Sequence, residues 1–212
     1  MRFLSEEAGA VTVDWTVLTA AIVGMGLVSV GAVRTGAISL GGGIEGALSS
    51  ATIARPFGPI ASFNFNDVSG LTRTGWGWRA VGSYQGWTAI GPTQHIEVVE
   101  SGHRGVHSPD GGNWIDLDAS PGNLTLARGL ENLTAGQQYR LSFNAADSGV
   151  TNGVDVYFGG QFVEHINPTS AQFQAYSVNL VAGLGNGSNQ LEFRGTGMAN
   201  GIGVSLHGIA IH

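Results

Sequence analysis

Residues 15–33 of this chain run for nineteen positions without a charge, between Asp14 and Arg34. A helix needs roughly 20 apolar residues to cross a hydrocarbon core of about 30 Å, so the run is long enough to span one. Its small residues (Ala20, Ala21, Gly24, Gly26, Ser29 and Gly31) weaken a helix in water but let helices approach closely in an apolar medium. A secretory signal peptide fits poorly. Glu6, Glu7 and Asp14 stand where a positive n-region belongs, and the run exceeds the usual apolar stretch of about 7–15 residues.

Beyond residue 57 the hydrophobic period changes to two. Residues 139–145, 154–158, 191–193 and 202–206 alternate apolar with polar, the pattern of half-buried strands. Clusters of Gly, Asn, Asp, Ser and Pro separate them, as at 108–112, 120–123, 151–153 and 183–189. The pattern predicts about ten short strands between residues 61 and 211 and no helix there. That is the signature of an all-β sandwich or barrel, with antiparallel strands closed in two layers. Between the halves, residues 35–50 read as a continuation of the helix. The expected organisation is a hydrophobic helix at 10–50, a linker at 51–60 and a β-sandwich at 61–212; the resemblance of the Gly9 junction, below, implies a leader at 1–9.

Charge and cysteine narrow the function. All nine basic residues are Arg, against fifteen acids, for a net charge of -6. With no basic cluster, a phosphate-tracking nucleic-acid surface is not expected. With no cysteine, disulfides, thiolate metal sites and cysteine nucleophiles are excluded. No Gly-x-Ser-x-Gly elbow or His-Glu-x-x-His run occurs, and nothing selects one carboxylate pair as a glycosidase dyad. The expectation is a protein that is not an enzyme.

The junction Gly9-Ala-Val-Thr-Val-Asp14-Trp15 resembles the prepilin signature of the Flp-type (type IVb, tight-adherence) pilins. The resemblance implies cleavage after Gly9, so that Ala10 begins the mature chain and Asp14 and Trp15 become its fifth and sixth residues. The family has Glu and Tyr there; Asp and Trp keep an acid followed by an amphipathic ring. It also implies prepilin peptidase and a pilus assembly machinery as partners, residence in the inner membrane, and then self-assembly into an extracellular filament. The physics points the same way. A carboxylate in an apolar helix costs around 2.5–3.5 kcal/mol at the helix centre, and the new α-ammonium four residues from Asp14, or that of a neighbouring subunit, would offset it. The competing reading makes Asp14 the headgroup-level boundary of a plain anchor.

Residues 61–212 resemble bacterial extracellular modules of the galactose-binding-like and carbohydrate-binding jelly rolls. The pieces that carry this are 86–87, 96–98, 110–111, 114–118, 136–143, 153–157 and 203–209. Glycan binding for adhesion is what the resemblance implies. Alternation places Ile115 and Leu117 on one face and Trp114, Asp116 and Asp118 on the other. An exposed indole stacks on the CH face of a sugar, while carboxylates accept from its hydroxyls. Trp76 and Trp78 are expected to share a second such face. Trp87 and Trp114 are equally readable as sandwich core. Glu97, Asp110, Asp116 and Asp118 could instead hold a structural Ca²⁺, or merely cap turns. Other readings stay open: a purely structural spacer or tip domain on a pilus, and a membrane-anchored periplasmic carbohydrate-binding protein that never polymerises.

Overall fold

The N-terminal run forms one α-helix, α1 (Glu7–Ser50), of 44 residues, about 66 Å long at 1.5 Å per residue. The computed structural model describes residues 7–50, 58–92, 94–120, 122–147 and 152–212, and within these leaves out the side chains of 7–14, 28, 35 and 42–50. The stretch Trp15–Gly41 is long and apolar enough to cross a membrane. Leu18, Ile22, Met25, Leu27, Val30 and Val33 are all exposed, and at helical spacing they point in every direction. A helix apolar all round calls for lipid or other helices around it. Two of its hydroxyls are satisfied internally: Thr19 Oγ1 donates to the carbonyl of Trp15 at 2.7 Å and Ser29 Oγ to that of Met25 at 2.8 Å. That arrangement suits a medium with no water to bind.

The chain divides into two compact units, Met1–Pro56 and Phe57–His212. The second is an all-β sandwich. Its first strands are β1 (Ala61–Phe63), β2 (Thr72–Arg73), β3 (Gly77–Val81), β4 (Ser83–Tyr84), β5 (Trp87–Ile90), β6 (His95–Val99) and β7 (Trp114–Asp116). There follow β8 (Thr125–Gly129), β9 (Gln138–Asp147), β10 (Gly153–Phe158), β11 (Gln161–Ile166), β12 (Gln174–Val181), β13 (Gln190–Thr196) and β14 (Val204–Ile211). One sheet runs β12-β9-β14-β7-β6-β3-β2, with β1 also on β14; the other runs β11-β10-β13-β8-β5-β4. All pairings are antiparallel. The strands beyond the expected ten include pieces of two or three residues such as β2 and β4, too short to show alternation.

Alternation builds the core. Tyr139, Leu141, Phe143 and Ala145 of β9 and Val154, Val156 and Phe158 of β10 point between the sheets. Phe193 sits at the centre, edge-on to Phe143 at 5.1 Å and 6.0 Å from Trp87. Each such side chain contributes roughly 1.5–3 kcal/mol by burial. The Gly159-Gly160 turn joining β10 to β11 has both residues at positive φ, 58° and 76°, as a tight two-residue hairpin requires. A second, smaller cluster lies on the outer face of the larger sheet: Val99, Val106, Trp114 and Ala146, with Trp76, Ala171 and Phe173 packed on it. The loops after β6 and before β12 cover this face.

Candidate functional site

Beside that smaller cluster a row of polar side chains crosses the outer face of the larger sheet. Strand register sets Arg79 opposite Glu97, Glu97 opposite Asp116, and Asp116 opposite Ser205. Since Ile96, Val98 and Ile115 fill the core between the sheets, period two obliges these neighbours to face outward. Arg79 Nη2 reaches Glu97 Oε1 at 3.3 Å, and His95 Nε2 lies 3.7 Å from the same oxygen.

Two loops complete the site. A single 3₁₀ turn, His103–Gly105, holds Arg104 in the left-handed region at φ 53°, uncommon for a residue with a Cβ. From there Arg104 Nη1 donates to the carbonyl of Gly201 at 2.9 Å and lies 4.0 Å from Asp116 Oδ2. The loop before β14 is held by carboxylates. Asp118 Oδ2 accepts from the backbone N–H of Asn200 (2.6 Å), Gly201 (2.7 Å) and Ile202 (3.3 Å). Asp116 Oδ1 accepts from those of Asp118 (2.9 Å) and Gly203 (2.8 Å). Charged acceptors make these bonds stronger than neutral ones.

The result is a cavity of about 210 Å³ lined by residues that include Trp76, Arg79, Glu97, His103, Arg104 and Asn200. Clefts for drug-sized ligands run to roughly 300–1,000 Å³, so this one has room for a polar ligand no larger than a single small ring. Trp76 is half-buried there, and the Arg79 guanidinium lies 6.0 Å from its ring centroid. Burial raises the Asp116 carboxyl to about 6, with the Glu97 charge adding to it and the N–H donors and Arg104 opposing. Burial also raises Glu97, against Arg79 and Arg104. His103 is lowered by burial and by Arg104 beside it.

Several expectations are corrected by this geometry. Ile115 and Leu117 do face the core, but the other face of their strand is not open: Trp114 is 2%, Asp116 3% and Asp118 0% exposed. Covering loops bury that face, so Trp114 is no sugar platform; Asp118 anchors the loop at 200–202, and Asp116 anchors Gly203 while lining the cavity described above. Trp76 and Trp78 do not share a face. Trp76 precedes β3, in a turn where the Thr74 N–H donates to the Gly77 carbonyl at 2.8 Å, and it packs on the outer cluster. Trp78 packs on the main core under the Arg73 guanidinium, 4.5 Å from its ring centroid. The Ca²⁺ set does not assemble either. Asp110 caps its own turn through the Gly112 N–H (2.8 Å) and pairs with His207 (3.1 Å), while Asp116 and Asp118 bind backbone amides. Among the described residues no group of three or more His, Asp or Glu is arranged to hold a metal ion. Gly9, Ala10 and Asp14 lie in the helical backbone of α1, with their side chains outside the described ones. Trp15 is exposed. Most of the leader (1–6) and of the linker (51–57) lies outside the described residues.

Sequence reasoning missed Arg79, Arg104, Asn200 and Gly201. Arg79 and Glu97 each alternate with apolar neighbours, a usable signal. Nothing local marks Arg104 or the loop at 200–203, which join the site only through long-range closure.

No protein-family model matches the chain. It is 31% identical over 130 residues to a multifunctional-autoprocessing repeats-in-toxin of Vibrio vulnificus, a match covering 59% of this chain and 2% of the toxin. Among solved structures it is similar to the carbohydrate-binding module TmCBM61 in complex with β-1,4-galactotriose (20% identity, 62% of this chain and 90% of the module, TM-score 0.46). It is also similar to CBM35 from Paenibacillus barcinonensis (17% identity, 63% of this chain and 97% of the module, TM-score 0.40). At these TM-scores nothing about ligand or activity passes from those modules to this chain.

Proposed function

We propose that this chain is a surface protein that binds a sugar in the pocket beside Trp76 and is carried on α1 as a filament subunit. One observation carries the first part: a half-buried indole beside a small cavity ringed by charged hydrogen-bonding side chains. That combination matches the two surfaces of a sugar, an apolar CH face and a rim of oxygens. The second part is supported by the prepilin-type junction and by a helix that exposes apolar side chains on every side. At about 66 Å, α1 is also longer than the roughly 30 Å a bilayer core needs.

The full chain, held in a detergent without a sugar headgroup, should bind at least one class of glycan on an array. Trp76→Ala should lose about tenfold or more in affinity, about 1.4 kcal/mol, and Trp76→Phe should retain part of it. Thermal melts of both variants separate lost contact from lost fold. No glycan bound by the intact chain would sink the sugar reading.

A further inference from the structure

A further inference rests on the sugar-binding reading of the same pocket and names the class of sugar. The charged groups there are layered by depth. The side chains of Arg79 and Arg104 are each 40% exposed, whereas those of Glu97 and Asp116 are 8% and 5%. Carboxylates form the floor and guanidiniums the rim. Both guanidiniums line the one cavity, Arg79 beside Glu97 at 3.3 Å and Arg104 beside its strand neighbour Asp116 at 4.0 Å.

Most acceptors of the floor are engaged by the chain itself; Asp118 Oδ1 has no hydrogen-bond partner, but it is buried and Asp118 does not line the cavity. Asp116 Oδ1 takes two backbone N–H groups, Asp118 Oδ2 takes three, and Glu97 Oε1 faces Arg79 and His95. The donors of the rim are not exhausted. A guanidinium carries five N–H donors. Arg104 gives one to Gly201, and Arg79 gives one to Glu97 while its Nε is buried without a partner.

A neutral sugar offers hydroxyls that both donate and accept, and it needs acceptors in the wall as well as donors. A carboxylate only accepts, and it matches the planar fork of arginine two bonds at a time. We infer that the pocket takes a sugar bearing a carboxylate, its ring against Trp76 and its carboxylate on Arg79 and Arg104. A uronate within a polysaccharide and a terminal sialate share this chemistry.

The test uses four probes with the full chain in the same detergent. These are a galacturonate oligosaccharide, its carboxyl-reduced counterpart, sialyllactose and lactose. At least one carboxylated probe should bind, and its neutral partner should bind about tenfold more weakly or worse, the fold-change expected for a charge-assisted pair. Which of the two carboxylated probes binds identifies the source. Arg104→Gln should give a similar loss toward the carboxylated probe. If that variant fails to fold, Arg104→Lys, which keeps the charge and loses the fork, reads the same contact. A neutral partner that binds as tightly as its carboxylated mate overturns the class. Binding confined to neutral glycans on the array, with dependence on Trp76, overturns the class and leaves the sugar reading standing; silence across the array overturns both.

Discussion

Asp116 illustrates how one residue can serve structure and chemistry together. Its carboxyl accepts two backbone N–H groups, yet burial lifts it from 3.8 to about 6. The folded chain therefore holds this proton more tightly than the unfolded chain. By linkage, the resulting stability is complete below about pH 4, falls as pH rises, and is gone above about pH 6. Asp116→Asn keeps the Oδ1 acceptor and removes the titration. Thermal midpoints of the two proteins between about pH 4 and about pH 7 should diverge with rising pH, in favour of the variant. Parallel midpoints would show that Asp116 ionises without cost. The groups facing it (Glu97, Asp118, Arg104, and through Glu97 also Arg79 and His95) are the same in both proteins. None of this is legible in the sequence, because a carboxylate's burial depends on what lies over its strand.

At the scale of elements, period two told which residues share a face, and it held for β7, β9 and β10. It does not tell whether a loop covers that face. The outward side of β7 reads as a sugar platform only while the loops after β6 and before β12 are ignored. The break between Trp76 and Trp78 has a similar origin: alternation begins where the strand begins, at Gly77. The alternation at 202–206 predicts a strand from Ile202, but the N–H groups of 200–203 go to Asp116 and Asp118, and β14 begins only at Val204. Gly203 fits this loop because a Cβ there would stand 2.4 Å from the Asp118 nitrogen and 2.8 Å from Asp116 Oδ1. Gly203→Ala must displace one of them. The expected destabilisation is about 1–3 kcal/mol, lowering the thermal midpoint by roughly 2–4 °C per kcal/mol in a domain of this size, with sugar affinity falling as Gly201 shifts. A melt and a binding curve that both match the unmodified chain would mean the loop is not held as described.

For the whole molecule, the two halves were legible because they differ in period and in charge: a long uncharged helical run, then alternating segments punctuated by glycine. The pocket was not, because it joins side chains from residue 76 to residue 201. The filament reading makes a definite statement about the N-terminus. Subunits isolated from cells should begin at Ala10, as mass spectrometry of the mature chain would reveal, and electron microscopy should show them in fibres. Chains that still begin at Met1, or that never leave the membrane singly, would leave α1 as a plain anchor.

The Arg104–Gly201 bond has a consequence for the order in which function appears. The wall it closes is supplied by the segment that follows β13. A chain cut short before residue 200 would keep α1 and the strands through β13 but would lack both β14 and the far side of the pocket. The pocket is therefore a late product of folding: its far wall stands only once the segment between β13 and β14 has docked on Arg104.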